Sequence, residues 1–298
     1  MKNPNNPTFN RPRLLIVGCG DVGTRLLPLL RGRFRVFATT SSLDRCAELR
    51  ALGAVPIVAD LDDIASLRRL AGLAHRIVHL APPPADGALD RRTRNLTAIL
   101  PEQARMVYVS TTGVYGDCGG ARFDESRPVA PRNPRATRRV DAEAVLRRWA
   151  VRSNSTLAIL RVPGIYGAER LPRKRLEQGT AALLAADDVY TNHIHADDLA
   201  AIIVRALGFG LPNRLYHAVD DSNLKMADYF DAVADALGLA RPPRLPRAEL
   251  QQVVTPALLS FMSESRRLDN GRIKKELGVR LRYPTVGTLL QALAAKKV

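Results

Sequence analysis

The sequence predicts an α/β protein in which a Rossmann-type, doubly wound parallel sheet carries a smaller C-terminal substrate lobe. The first observation is a buried apolar run at 14–17 that leads into a glycine-rich turn and then a helical pattern. The second is the alternation of short apolar runs with helix-like stretches up to residue 161, the rhythm of parallel β-α-β units. The third is that this rhythm loosens after Tyr166 into loops and mixed helices, which indicates a smaller lobe.

Six apolar runs are expected to be the strands of the sheet. A short, continuous apolar run is typical of a strand that is buried on both faces. Two of the intervening stretches, 43–52 and 62–73, have helical patterns. The predicted strands are 14–18, 36–39, 56–59, 77–81, 107–110 and 156–161.

The domain organisation follows from where this rhythm holds. We expect a flexible leader at 1–12, a dinucleotide-binding domain at 13–167 to which 190–220 returns, and a small lobe formed by 168–189 and 221–298. The leader is rich in asparagine and proline and has no apolar run, so it is neither a signal peptide nor a spanning helix. Because ligands of such sheets bind at the carboxyl ends of the strands, we expect the site there.

Composition narrows the class of protein. The formal net charge is +16 and comes mostly from arginine, which favours an anionic ligand, although biased codon usage would give the same composition. No zinc-finger, aromatic-strand or recognition-helix pattern accompanies the charge, so we expect no nucleic-acid partner. The three cysteines lie far apart and have neither metal-ligand nor disulfide spacing, which indicates a cytoplasmic protein. We expect it to be a monomer or homodimer with no membrane partner.

The glycine-rich turn is expected to bind a dinucleotide. Gly18 can make the tight turn, Gly20 lets a pyrophosphate approach the backbone, and Gly23 lets the helix pack on the strand. The pyrophosphate would meet the N–H groups at the start of the helix, near Asp21 and Val22. The alternative is an ordinary strand-to-helix turn, but the strand before and the helix after favour the cofactor site.

The end of the second strand favours NADP over NAD. An NAD site has an acidic residue about 20 positions after the first glycine, where it binds the ribose 2′-hydroxyl. The end of the second strand has no carboxylate before Asp44. The hydroxyls of Thr40, Ser41 and Ser42 and, one helical turn further on, Arg45 suit a 2′-phosphate instead. An alternative role for the hydroxyls is to cap the helix that starts near residue 43, and the two roles are compatible.

Several further segments resemble one family. Residues 109–116 read Val-Ser-Thr-Thr-Gly-Val-Tyr-Gly, and residues 160–167 read Leu-Arg-Val-Pro-Gly-Ile-Tyr-Gly. With the segments 194–200 and 270–278, which follow in the same order, they are similar to the extended short-chain dehydrogenases/reductases with their nucleotide-sugar epimerases and dehydratases. The resemblance runs from residue 13 to about residue 293.

The resemblance implies further cofactor contacts. Asp60 and Leu61 look like the pair, an acidic residue and its neighbour, that binds adenine at the end of the third strand. The turn after the fourth strand looks like the segment over the cofactor, and the turn after the sixth looks like the one beside the nicotinamide. These two turns supply Leu80, Ala81, Pro82 and Pro163.

The same resemblance implies a catalytic site that lacks its usual acid. Thr111 looks like the family's catalytic Ser or Thr, but in the register set by Glu143 the family's Tyr and Lys are replaced by Arg135 and Arg139. Arginine stays protonated in proteins and cannot act as a proton donor. We therefore take Tyr115 as a candidate proton donor, and Arg139 as a candidate to bind ribose or phosphate.

An anionic substrate is expected near the second Tyr-Gly pair. Arg170 and Arg173 follow Tyr166, at the place where relatives hold the diphosphate of a nucleotide sugar, and Arg135 is expected to face the same ligand. A solvated basic loop is the alternative for these arginines, and Tyr166 or a water is the alternative proton donor. The histidines and aspartates of 193–198 match a segment that docks the lobe in the family, so we expect no metal.

Together these observations predict an NAD(P)-binding, epimerase-, dehydratase- or reductase-like protein. Its ligand is expected to be small and anionic or similar to a sugar nucleotide, and its cofactor NADP, with NAD as the alternative. Because the Tyr-Lys pair is missing, the other interpretation is a non-catalytic NADP(H)-binding sensor or scaffold.

Overall fold

The computed structural model describes residues 11–295. The strands are β1 (Arg13–Val17), β2 (Arg35–Thr40), β3 (Val55–Val58), β4 (Arg76–His79), β5 (Arg105–Thr111), β6 (Arg122–Phe123), β7 (Thr156–Val162), β8 (Gly164–Tyr166), β9 (Ala182–Leu183), β10 (Tyr190–Thr191), β11 (His193–His195), β12 (Arg214–His217), β13 (Leu224–Lys225), β14 (Arg244–Leu245) and β15 (Arg267–Leu268). The helices are α1 (Asp21–Leu30), α2 (Arg45–Ala51), α3 (Ile64–Leu67), α4 (Arg91–Thr97), α5 (Pro134–Arg152), α6 (Arg173–Glu177), α7 (Ala196–Phe209), α8 (Met226–Leu237), α9 (Arg247–Val253), α10 (Pro256–Phe261), α11 (Gly271–Leu277) and α12 (Val286–Ala294). Residues 1–10 of the predicted leader lie outside the described residues.

Seven strands form one parallel sheet in the order β12-β7-β5-β4-β1-β2-β3. Each neighbouring pair runs parallel, and Leu15 of β1 lies opposite both Phe37 of β2 and Ile77 of β4. The strand order reverses between β1 and β4, which opens a crevice at the carboxyl ends of these strands. This topology confirms the predicted doubly wound, Rossmann-type fold.

Two details of the fold differ from the sequence prediction. The sheet has a seventh strand, β12, whose short apolar core of Leu215 and Tyr216 lies among polar residues and gives little local signal. The helix predicted at 62–73 is instead α3, capped by the Asp63 carboxylate, followed by a 3-10 turn at Arg68–Leu70. Gly72, with a φ of +62°, prevents its continuation.

Helices cover both faces of the sheet. On one face α1 and α7 pack side by side, and Leu26 and Ile202 share a core with Ile16 of β1. On the other face α4 contacts α5, and Leu146 and Trp149 of α5 pack in the second core of the sheet. Cys19 of the glycine-rich loop belongs to the first of these cores, whereas Gly20 beside it is exposed.

Outside the sheet, most of the residues after 167 form smaller cores and short strand pairs, two of which include the earlier strands β6 and β8. The pairs are β8 with β11, β9 with β14, β10 with β13 and β6 with β15. Tyr166, Phe230 and Leu289 share one core, to which α8 and α12 contribute. Within the predicted lobe range 221–298, however, α11 packs on α7 and β12, so Ile273 belongs to the core of the sheet. No helix within residues 11–295 is both long and apolar enough to cross a membrane.

Candidate functional site

The first glycine of the loop between β1 and α1 has a backbone that favours glycine. Gly18 has a φ of +81°, and a Cβ there would lie 2.8 Å from the backbone of Ala81. The Gly18 amide donates a hydrogen bond to the Thr39 hydroxyl at 2.9 Å. Leu80, whose amide donates to the Val17 carbonyl at 2.9 Å, fixes the turn after β4 against the same loop. The loop is therefore held between the carboxyl ends of β2 and β4.

The next two glycines have different surroundings. A Cβ on Gly20 would meet no atom of the described residues within 4 Å, whereas a Cβ on Gly23 would lie 2.8 Å from Sγ of Cys19. Gly23 thus allows close packing, and Gly20 leaves open space before α1, which starts with Asp21 and Val22. Open backbone at a helix N-terminus suits an anion such as a pyrophosphate.

Arg45 lies beside this loop. Its guanidinium donates a hydrogen bond to the Cys19 carbonyl at 2.5 Å and pairs with Glu48 at 3.1 Å. Arg45 therefore contacts the loop between the first two glycines. A guanidinium is a group that can bind a phosphate through paired hydrogen bonds.

The hydroxyls at the end of β2 do not cap α2. The Thr40 hydroxyl is buried and bonded to the Ser42 backbone, while Ser41 is exposed. Asp44 precedes α2, and no side-chain hydrogen bond caps this helix. The capping alternative therefore has no support, and these hydroxyls stay candidates for the 2′-phosphate.

The turns after β3 and β4 are joined at the place predicted for adenine. Asp60 is exposed and its carboxylate accepts from the Asp62 amide at 2.9 Å, while Leu61 packs on the core below. Asp62 pairs with Arg92 at 2.6 Å, and this hydrogen-bonded pairing lowers the pKa of Asp62. Arg92 also donates to the Pro82 carbonyl at 3.3 Å, so one arginine fixes both turns.

A cavity of about 940 Å³ lies beyond the carboxyl ends of β5 and β7. The Thr111 hydroxyl lines it and accepts a hydrogen bond from the Gly113 amide at 3.2 Å. Arg173 does not line the cavity; it is exposed and pairs with Glu177 at 3.6 Å, so its predicted place beside the substrate is not supported. The cavity brings together five of the predicted site residues, Thr111, Arg135, Pro163, Tyr166 and Arg170.

Sequence reasoning missed the opposite wall of the cavity. Glu264 and Arg266 pair there at 2.6 Å, and Arg266 also donates to the Gly116 carbonyl at 2.7 Å. This arginine connects the wall to the turn that follows Thr111. The missed wall includes Tyr190, His193, Tyr229, Phe230, Glu264 and Arg266.

The family model of the NAD dependent epimerase/dehydratase family matches residues 14–218. The match spans more than half of the chain and contains both the glycine loop and Thr111. The chain belongs to the NAD dependent epimerase/dehydratase family.

Individual relatives are similar over different lengths. The dTDP-D-glucose 4,6-dehydratase of Homo sapiens is 27% identical over 121 residues, which cover 38% of this chain and only 35% of that enzyme. The structure of a functionally unknown conserved protein from Silicibacter pomeroyi DSS has a TM-score of 0.78 at 28% identity, covering 96% of this chain and 99% of the other. A double mutant of the dTDP-glucose 4,6-dehydratase DesIV from Streptomyces venezuelae, with NAD bound, has a TM-score of 0.73 at 22% identity, covering 96% and 97%. The latter similarity shows the shared fold.

Helix α5 of this epimerase/dehydratase family member contains neither tyrosine nor lysine. It starts after Asn133, whose side chain accepts from the Ala136 amide at 2.9 Å. Arg135, in the first turn, lines the cavity. Arg138 is buried and donates two hydrogen bonds of 2.8 Å to carbonyls of the loop after β4, so it fixes that loop beside the cavity.

Arg139 points to the sheet and does not line the cavity. Its guanidinium donates to the Val109 carbonyl at 2.9 Å and to the Tyr108 hydroxyl at 3.0 Å. These contacts lie next to the end of β5, which carries Thr111. The structure therefore gives Arg139 a positioning role, and the expectation that it belongs to the catalytic group is not supported.

Tyr115 also does not reach the cavity. It is 1% exposed, its hydroxyl lies 2.6 Å from Nε2 of His217, and the Arg161 guanidinium lies 4.6 Å from its ring centre. Nδ1 of His217 faces the Asp269 carbonyl at 3.0 Å, so we assign the hydrogen to Nδ1 and let Tyr115 donate to Nε2. Burial raises the pKa of Tyr115 to about 12. We therefore do not retain Tyr115 as a proton donor.

A buried ion pair supports the strand that carries Thr111. Arg161 binds Glu143 through two hydrogen bonds of 2.7 and 3.0 Å, and the Ser110 hydroxyl donates to the same carboxylate at 2.6 Å. The pair is nearly inaccessible to water, and a bidentate geometry satisfies both charges. Because Ser110 precedes Thr111, this pair fixes the end of β5.

His193, which lines the cavity, and Asp220, which lies behind it, are buried and have unused hydrogen-bonding atoms. The ring of His193 packs against Tyr229 at 4.3 Å between centres and edge-on to Tyr166 at 6.1 Å. Behind them Asp220 accepts from the Ser222 amide at 2.9 Å. Within residues 11–295, Nδ1 of His193 and Oδ2 of Asp220 have no hydrogen-bond partner. Burial lowers the pKa of His193 to about 4 and raises that of Asp220 to about 7.

Proposed function

We propose that this chain binds NADP(H) at the glycine loop and acts on a small anionic ligand in the cavity. The observation that carries the proposal is that four arginines and one glutamate line the cavity around Thr111. The glutamate, Glu264, is already paired with Arg266 at 2.6 Å. The lining residues together carry a net positive charge, which favours a carboxylate or phosphate, including that of a sugar nucleotide of the kind named for the dehydratase relatives.

The residues around the loop fit a nicotinamide dinucleotide. Gly20 and the start of α1 would hold its pyrophosphate, Asp60 and Leu61 its adenine, and the Pro163 turn its nicotinamide. Such a cofactor supplies or accepts a hydride when it is bound. Arg45 favours NADP, because a 2′-phosphate would gain a charged partner that the NAD ribose lacks. NAD, which the DesIV structure contains, is the alternative cofactor.

In this proposal the cavity residues act on a ligand oxygen. Thr111 donates a hydrogen bond to that oxygen, and Arg135 supplies positive charge that stabilises an oxyanion without protonating it. A proton must then come from another group. Tyr166 lines the cavity, but it is 2% exposed, its hydroxyl donates to the Tyr283 carbonyl at 3.4 Å, and burial raises its pKa. The reasons that exclude Tyr115 apply to it as well, so a water is the remaining candidate donor.

A second candidate function is a non-catalytic NADP(H) sensor or scaffold. The absence of tyrosine and lysine from α5 favours it, because general acid catalysis contributes roughly 10²–10⁴ to a rate. This alternative predicts cofactor binding without turnover.

We also propose a cytoplasmic location. Cys19, Cys46 and Cys118 are all unpaired, as is usual in a reducing compartment. The predicted monomer or homodimer can be distinguished by light scattering.

The experiment that tests the function is a panel of UDP- and dTDP-sugars with NADP and NAD, followed by nicotinamide absorbance and product chromatography. We expect the wild type to turn over a substrate slowly. Folded Thr111→Ala protein should lose this turnover, and folded Tyr115→Phe protein should keep it. Turnover that survives Thr111→Ala would contradict the assigned site. If no sugar nucleotide of the panel is turned over while NADPH still binds, the result would favour the non-catalytic sensor or scaffold.

A further inference from the structure

Arg170 and Asp21 form a salt bridge between the cavity and the glycine loop. Asp21 is the first residue of α1, directly after Gly20. Its Oδ2 lies 3.0 Å from Nη1 of Arg170, and its Oδ1 lies 3.2 Å from Nε of Arg25. A carboxylate in the first turn interacts favourably with the helix dipole, but it competes with any anion that binds at the same helix N-terminus. The cofactor pyrophosphate is the anion expected there.

The two arginines on Asp21 are held differently. Arg25 also pairs with Asp197 at 2.6 Å and with Glu169, so three carboxylates fix its guanidinium. Within the described part of the chain, Asp21 is the one carboxylate within 4 Å of the Arg170 guanidinium. Arg170 can therefore move from Asp21 to a phosphate by breaking one ion pair, whereas Arg25 would have to break three.

Arg170 also lies between the two proposed ligands. It ends the 3-10 turn Ala168–Arg170, which follows β8 and the turn at Pro163. Its side chain lines the cavity, while its Nη1 contacts the first residue of α1. A single guanidinium thus separates the place of the cofactor pyrophosphate from the place of the anionic ligand.

We propose that Arg170 binds the cofactor pyrophosphate and that Asp21 holds its guanidinium in place until the pyrophosphate replaces the carboxylate. This inference rests on the proposed function and deepens it. It gives the two residues effects of opposite sign, because the Asp21 carboxylate repels the phosphates whereas Arg170 attracts them. A salt bridge that only stabilises the fold would give effects of the same sign.

Fluorescence titration of the full chain with NADPH tests this inference. The proteins are the wild type, Asp21→Asn, Arg170→Gln, the double variant, and Arg173→Gln as a matched control from the same basic segment. We expect Asp21→Asn to bind roughly two- to fivefold more tightly and Arg170→Gln more weakly by a similar factor. The double variant should lie between them, and Arg173→Gln should match the wild type. About 0.5 M salt should reduce both differences.

Two results would overturn the inference while the wild type binds NADPH. One is an unchanged affinity in both single variants, and the other is weaker binding in both. Thermal unfolding shows whether each variant is folded. Arg170→Lys, which keeps the charge, should retain most of the NADPH affinity that Arg170→Gln loses. If the wild type binds neither NADPH nor NADH, the proposed function fails. Inorganic pyrophosphate then tests the salt bridge by itself: the same order of affinities supports the inference and equal affinities overturn it.

Discussion

The Arg45 guanidinium donates a hydrogen bond of 2.5 Å to the carbonyl of Cys19, in the middle of the glycine loop. This contact sets a cation beside the place where the adenosine ribose of a bound dinucleotide is expected. Glu48, which pairs with Arg45 at 3.1 Å, keeps the guanidinium in this position.

We expect Arg45→Ala to weaken NADPH binding selectively. The loss should be roughly 1–3 kcal/mol for NADPH and close to zero for NADH, because only NADPH carries the 2′-phosphate. Calorimetric titration measures both affinities, and Arg50→Ala, on the same helix, is the matched control. Equal losses for the two cofactors would remove the argument for a 2′-phosphate contact.

Two glycine substitutions in the loop should have different consequences. Gly20→Val should abolish dinucleotide binding in a folded protein, because its side chain would occupy the open space before α1 where the pyrophosphate is expected. Gly18→Ala should instead destabilise the fold by at least about 1 kcal/mol, because the φ of +81° and the nearby Ala81 leave no room for a Cβ. Circular dichroism and thermal unfolding distinguish the two effects. A folded Gly20→Val protein that still binds dinucleotide would show that the site lies elsewhere.

Tyr115→Phe should reduce stability and leave cofactor binding unchanged. The substitution removes the donor to Nε2 of His217, which is buried, and an unsatisfied buried acceptor costs about 1–3 kcal/mol. Chemical denaturation measures the loss. Unchanged stability combined with lost turnover would instead return Tyr115 to the catalytic group.

Asp220→Asn should change how stability depends on pH. Burial raises the pKa of Asp220 from its ordinary 3.8 to about 7, so the folded protein binds this proton more tightly than the unfolded chain. The wild type therefore loses stability from this group as the pH rises from about 4 to about 7, whereas the amide does not titrate. Relative to the wild type, the variant should gain up to about 4 kcal/mol across this range.

Denaturation at a series of pH values measures this effect as the difference between the two proteins. The two proteins must be compared because other groups also titrate in this range. Burial lowers the pKa of His193 and of His217 to about 4, so these groups make the folded state more stable as the pH rises. Both contribute equally to the wild type and the variant if they are unaffected by the substitution. A difference that does not vary between pH 4 and 8 would mean that Asp220 titrates normally.

The parts of the site that depend on local sequence could be predicted. The glycine loop is one strand, one turn and one helix, so Gly18 and Gly20 are recognisable from their neighbours. Thr111 follows in the same way from the segment at the end of β5. The family match over 14–218 agrees with the resemblance that these segments suggested.

The parts that depend on distant contacts could not be predicted. Tyr115 is buried because it packs with Val219 and Leu268, and its hydroxyl contacts His217, which lies 102 positions away along the chain. Tyr229 and Arg266 line the cavity without a local motif, because the fold of the residues after 167 brings them there. Arg139 has the predicted sequence position but points to Val109, since an i+4 spacing fixes a helix face and not the partner of a long side chain.

We infer that the loop between β1 and α1 binds NADP(H) in preference to NAD(H). Fluorescence titration of the wild-type protein with NADPH and NADH under the same conditions tests it most directly. We expect tighter binding of NADPH, with a preference that depends on Arg45. Equal affinities, tighter binding of NADH, or no binding of either cofactor would contradict it.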